Sequence, residues 1–157
     1  MNDNIKAFLS MLAWSELGTE IIQQSENGYN VLVGSLPGKV KLFHSYAYHP
    51  RIVVKINDKL SSTAAGRYQI LKRIFDHYKK TLALPDFSPA SQDKIAVQLI
   101  RECGAYQDIL SGRIVEAIGK CRSRWASLPG AGYNQREHRI EPLIIAYRNA
   151  GGKLSEV

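Results

Sequence analysis

The sequence predicts an α+β domain, mainly helical, with one small β-rich segment. Three observations carry this. Apolar residues recur at helical spacing near the N-terminus and through the second half of the chain. Ser35 to Ser62 instead mixes turn residues, β-branched pairs and basic residues with no helical period. The 157 residues hold no internal repeat and no linker, the size of one ordinary domain, so residues 1–157 are read as a single domain with its own core.

The elements follow in order. Asp3 or Asn4 can cap a first helix in which Ile5, Phe8, Leu9, Leu12 and Ala13 form an apolar stripe, and Gly18 is placed to end it. Tyr29, Val31 and Val33 alternate between Gly28 and Gly34 like a short strand. A hairpin is expected around Arg51 to Ile56. Ala65 to Leu82 reads as a helix burying Ile70, Leu71, Ile74, Phe75 and Tyr78. Ser88-Pro89 reads as a cap with proline at the first helical position, and Ile95, Ala96, Leu99 and Ile100 supply the buried face behind it. Ile114, Ala117, Ile118 and Cys121 mark another helix, followed by the glycine-rich stretch Leu128 to Tyr133. A last helix carries Ile140, Leu143, Ile144 and Tyr147 and stops at Gly151-Gly152.

Composition narrows the function. Lys and Arg number 21 against 14 Asp and Glu, a net charge of +7, which favours a polyanionic partner: nucleic acid, an anionic membrane surface or a bacterial wall. Five basic residues (Lys39, Lys41, Arg51, Lys55, Lys59) against Asp58 alone lie between Leu32 and Lys59. No apolar run reaches the roughly 20 residues of a membrane span. The N-terminus lacks the pattern of a secretory signal, so the protein is expected to remain in the cytoplasm of its producing cell until something else releases it. Cys103 and Cys121 have no metal or redox spacing and read as reduced core thiols. His44, His49, His77 and His138 are scattered, so no metal and no cofactor are expected.

One residue is out of place. Glu16 lies eleven positions after Ile5, and eleven steps of 100° return to within about 20° of the starting direction. If the helix persists, a carboxyl group stands on its apolar face near its C-terminus. Desolvation and the negative end of the helix dipole then both oppose ionisation. A raised pKa is what a general acid needs near neutral pH. If the helix frays by Trp14 or Ser15, Glu16 is an ordinary solvated acid.

Ala7-Phe8-Leu9 with Met11-Leu12-Ala13-Trp14-Ser15-Glu16 resembles the active-site segment of the bacteriophage lambda lysozyme family. The likeness continues in Gly28-Tyr29-Asn30-Val31, His49-Pro50-Arg51, Ser62 to Gln69, Asp86-Phe87-Ser88-Pro89 with Ser91-Gln92-Asp93, and Trp125 to Tyr133 with Glu137-His138. The blocks run in order over nearly the whole chain. The resemblance implies a lysozyme-like fold and an endolysin that cuts peptidoglycan glycan strands by lytic transglycosylation between N-acetylmuramic acid and N-acetylglucosamine, leaving 1,6-anhydro ends. It implies Glu16 as the catalytic residue, release to the periplasm for host cell lysis, and two loops, roughly 51–60 and 127–141, as lips over the substrate.

Asn30, Tyr68, Gln69 and Tyr133 are the candidate substrate-binding residues, the middle two within a Gly-x-x-Gln entry into a helix. Where the resembled pattern carries an acid, this chain has Asn30, so a candidate second carboxylate is missing. Trp14 and Trp125 read as core. The protein is expected to act as a monomer, with no specific nucleic-acid partner. The alternatives are a hydrolytic muramidase, with Glu20, Glu26 or Asp58 as a base, and a basic nucleic-acid-binding protein using Tyr46, Tyr48 and nearby lysines.

Overall fold

The computed structural model describes residues 1–131 and 137–155. Its elements are α1 (Asp3–Leu17), α2 (Thr19–Gln23), β1 (Val54–Asn57), β2 (Leu60–Ser62), α3 (Lys72–Thr81), α4 (Pro89–Glu102), α5 (Tyr106–Leu110), α6 (Ile114–Cys121) and α7 (Ile140–Asn149). The α+β prediction holds: the described residues are mostly helical with one two-stranded antiparallel sheet. It divides into two compact units, residues 1–16 with 96–157, and residues 17–95. No helix among the described residues is long and apolar enough to cross a membrane.

The first unit is helical. Its N-terminal cap lies one residue earlier than Asp3 or Asn4: Asn2 Oδ1 accepts the backbone N–H groups of Asn4 and Ile5 at 2.8 and 3.3 Å. Two of the donors that a helix start leaves unpaired are thereby satisfied. Asn4 instead donates to the Ile109 carbonyl at 3.0 Å and accepts the Lys153 N–H at 3.0 Å, tying α1 to α5 and to the C-terminal segment. Ala7 and Met11 are buried along with the expected stripe, so α1 is covered on more than one side rather than lying on a surface. Leu99, Ile100, Ile109, Ile114, Ala117, Ile118, Cys121, Trp125, Leu143 and Tyr147 complete this core. Trp125 is core as expected, whereas Trp14 is half-buried. Cys121 is buried, but Cys103, just past the end of α4, is only half-buried. The short helix α5 had no periodic signal. Its Asp108 is held by Lys120 at 2.6 Å and Arg113 at 2.9 Å, contacts that depend on α6.

The second unit carries the β-rich segment. The expected strand near Val31 and Val33 exists only as isolated bridges, Val31 to Leu42 and Leu32 to Ala65. Leu32 N–H donates to Lys41 at 2.8 Å, and Gly66 N–H donates to Val31 at 2.8 Å, so residues 31–32 are paired on both sides. The hairpin is present but displaced: β1 and β2 pair Val54 with Ser62 and Lys55 with Ser61, leaving Arg51 to Val53 outside. The helix expected from Ala65 begins only at Lys72. Gly66 at φ 83° and Gln69 at φ 53° leave the right-handed helical region, and Ala65 bridges Ile70 instead. Ser88 caps α4 as expected, its carbonyl accepting Gln92 N–H at 2.9 Å. Phe43, Phe75 and Phe87 pack with His49 as the aromatic centre. His49 is buried and kept neutral by desolvation, with one ring nitrogen 2.8 Å from the Ile70 carbonyl and the other accepting Arg51 N–H.

Candidate active site

α1 does persist through Glu16, ending at Leu17, and Gly18 follows at φ 81°. Glu16 is half-buried at the C-terminal end of a helix whose preceding turns bury Phe8, Leu9, Met11, Leu12, Ala13 and Ser15. Desolvation pushes its carboxyl up from 4.5 to about 7, and a hydrogen bond from the Ser127 hydroxyl partly offsets this. The carboxyl is therefore near half-protonation at neutral pH, where a group can both give and take a proton.

The surroundings of Glu16 within its own unit were not legible in the sequence. Ser15 Oγ and Ser127 Oγ are 2.7 Å apart, and both residues are buried. His138 fastens the pair twice: its N–H donates to the Ser127 carbonyl at 2.8 Å, and its Nε2 lies 2.9 Å from the Ser15 carbonyl. Its ring rests against Trp14 with centroids 4.8 Å apart. All four residues fall inside the sequence blocks quoted above, yet serine and histidine at this separation form no recognisable pattern.

In the second unit, Asn30 is buried, and its Oδ1 accepts Glu26 N–H at 2.8 Å. Tyr68 is 2% exposed, and its hydroxyl donates to Asp93 at 2.6 Å. Tyr29 donates to the same carboxylate oxygen at 2.9 Å, and the Arg67 guanidinium lies over both rings. Gln69 is half-buried, with its Nε2 on the Gly66 carbonyl at 2.8 Å. Gly66 is required by protein, not by an open approach: a Cβ there would overlap the Gln92 carboxamide. That carboxamide accepts Arg67 N–H at 3.0 Å and donates to Tyr29 and Phe87 carbonyls at 3.1 and 2.9 Å. Gln92 and Asp93 are thus the residues that shape the Gly66–Gln69 turn. Tyr133 lies outside the described residues.

Of the carboxylates weighed as a second base, Glu20 is exposed in α2, Glu26 accepts the Tyr46 hydroxyl at 2.8 Å, and Asp58 is paired with Lys55 at 3.4 Å on the hairpin. Among the described residues no group of three His, Cys, Asp or Glu side chains is placed to hold a metal.

Comparison with known proteins gives a consistent result. The Endolysin family model matches residues 6–154. The endolysin of Escherichia phage P2 is 52% identical, over 96% of this chain and 94% of its own. That of Escherichia phage lambda is 50% identical, over 100% of this chain and 97% of its own. A structure of bacteriophage lambda lysozyme complexed with a chitohexasaccharide superposes with a TM-score of 0.91 at 51% identity, covering 98% of this chain and 97% of the other. A second structure of the lambda lysozyme gives 0.85 at 49% identity, with the same coverage. The chain belongs to the endolysin family and is a phage lysozyme-type enzyme that acts on peptidoglycan in cell-wall lysis.

Proposed function

We propose that this enzyme cleaves the bond between N-acetylmuramic acid and N-acetylglucosamine by lytic transglycosylation, with Glu16 as its single acid and base. The observation that carries the reading is the Glu16 carboxyl, raised to about 7 by burial, with no second carboxylate among the described residues contributing to the shift. The protonated carboxyl gives its proton to the glycosidic oxygen as the bond to the anomeric carbon breaks. The resulting carboxylate takes the proton of the muramic acid's C6 hydroxyl as that oxygen closes on the same carbon. Atoms balance without water: the products are a free 4-hydroxyl on one fragment and a 1,6-anhydro end on the other. Hydrolysis would ask for a second carboxylate to activate water or attack the sugar, whereas here the acceptor belongs to the substrate and the closure is intramolecular.

A glycan-strand substrate is supported by the chitohexasaccharide complex of the lambda lysozyme. Asn30 and Gln69 are proposed as polar contacts to sugar. The Gln69 side-chain oxygen and the Asn30 side-chain nitrogen take no hydrogen-bond partner among the described residues. Tyr68, with its hydroxyl committed to Asp93, would serve by shaping the turn that presents Gln69. Tyr133 is proposed as the ring that lies against a sugar. The enzyme would act on the wall from the periplasm, after release from the host cytoplasm.

Mass spectrometry of ends released from purified peptidoglycan tests the chemistry. Each new end should be a 1,6-anhydro sugar, lighter than the hydrolytic product by one water, with little reducing power. Digestion in oxygen-18 water should leave the ends unlabelled. Labelled, reducing ends would make the enzyme a muramidase, and an uncut glycan would exclude both.

A further inference from the structure

The two tasks given to Glu16 ask opposite things of its neighbours. An ionised carboxylate only accepts hydrogen bonds, whereas a protonated one must also place its own O–H. A backbone N–H or a lysine can only donate, so it offers no acceptor to the carboxyl O–H. A hydroxyl serves both, provided its own proton and lone pairs have a second partner when it turns. Ser127 has that partner: Ser15 Oγ, 2.7 Å away and buried with it.

We propose that Ser15 and Ser127 form a reversible hydroxyl relay that positions Glu16 in both of its protonation states; this rests on the reading of Glu16 as acid and base. With Glu16 ionised, Ser15 donates to Ser127 and Ser127 donates to the carboxylate. With Glu16 protonated the order runs backwards: the carboxyl O–H donates to Ser127 and Ser127 donates to Ser15. No covalent bond changes and no heavy atom has to move, since only two hydroxyl rotors turn. The two serines are held in register by His138, whose N–H holds the Ser127 carbonyl and whose Nε2 faces the Ser15 carbonyl. A ring nitrogen facing a carbonyl must donate, so His138 Nε2 carries a proton there and spends it on the backbone rather than on the carboxyl. Among the described residues, burial and Ser127 are the influences on Glu16, and no charged side chain adds to them. The neighbouring Glu137 accepts Gly130 N–H. Ser15 and Ser127 are positioning residues, acting through Glu16 rather than on the sugar.

The test is a carbon-13 carboxyl NMR titration of the full-length protein, with the Glu16 resonance assigned by its loss in Glu16→Gln. The pH profile of wall lysis is measured on the same samples. Ser127→Ala removes the donor to the carboxylate and should raise the Glu16 midpoint by about one pH unit. Ser15→Ala leaves that donor but frees its orientation, and should raise the midpoint by about half as much. Ser127→Thr keeps the hydroxyl and should return the midpoint to that of the parent. The alkaline limb of the lysis profile should move with the midpoint in each case. Midpoints in Ser127→Ala and Ser15→Ala that stay within about 0.2 of the parent would overturn the relay. If Ser127→Ala does not fold, Ser15→Ala decides alone: a raised midpoint supports the relay and an unmoved one overturns it. Failure of the underlying reading shows separately, as lysis retained by Glu16→Gln whatever the midpoints do.

Discussion

Replacing Glu16 by glutamine should abolish lysis while making the protein more stable at neutral and alkaline pH. The amide is nearly isosteric but can neither give nor take a proton, so activity should fall by about three orders of magnitude. The stability gain follows from linkage. Glu16 in the folded chain titrates at about 7 against 4.5 for the free side chain. At about 1.4 kcal/mol per pH unit, ionised Glu16 costs folding at most about 3.5 kcal/mol, and about 2 kcal/mol once its partial exposure is allowed for. The sign is that of a raised folded-state pKa. The carboxyl's contribution is fully present below pH 4.5 and is lost as pH rises through about 7. The glutamine variant has no such loss. Urea unfolding of both proteins at intervals from pH 4 to 9 should therefore show a difference that grows between about 4.5 and 7 and is level above. A difference that is flat across this range would mean that burial does not hold the proton on Glu16, and the acid–base assignment would lose its physical basis.

Three further expectations rest on other parts of the chain. Neutralising Lys39, Lys41 and Lys55 should weaken binding to purified sacculi and flatten its decline with salt; binding indifferent to both would reduce the basic segment to a solubilising surface. Gly66→Ala should cost about 3 kcal/mol in urea unfolding, because the turn's φ of 83° disfavours a side chain and a Cβ would displace the Gln92 carboxamide from its hydrogen bonds; a loss below about 1 kcal/mol would show that Gln92 can yield. The hydrogen bond with Cys121 holds the Cys103 thiol down at about 6, while the same contact and burial push Cys121 up. Iodoacetamide at pH 7 should therefore alkylate Cys103 at least about ten times faster than Cys121, and equal labelling in a peptide map would refute the assignment of the thiolate.

What was legible in the sequence was whatever local periodicity or a cap could encode. The spacing of Ile5, Leu12 and Glu16 put a carboxyl on the apolar helix face only if the helix persisted, which α1 does, and Ser88-Pro89 foretold the start of α4. The helix expected from Ala65 failed because its decisive contacts are distant: Gln92, twenty-six residues after Gly66, holds the turn in a conformation that the intervening apolar spacing does not reveal. The five-residue helices α2 and α5 are too short for any period to show, and helices of that length stand only on tertiary support. The site divides in the same way. Glu16 announced itself as a charge in an apolar pattern, and the family blocks singled it out. Ser127 is separated from Ser15 by 112 residues, and a buried serine leaves no mark on composition or periodicity.

The single carboxyl and the mode of its perturbation belong together. A carboxyl's pKa can be raised by a second carboxylate at close range or by desolvation. The first device puts a second charge in the site, which suits a reaction that needs a base for water. Desolvation raises the pKa with no such companion, and on Glu16 it is the dominant influence. An acid poised mainly by burial is near half-protonation at neutrality, so a substantial fraction of molecules hold the proton at the start and, under the transglycosylation proposed above, would recover it at the ring closure. Chemistry whose acceptor is already covalently part of the substrate asks for nothing more. The cost is borne by the fold, as the lost stability at neutral pH that Glu16→Gln should restore.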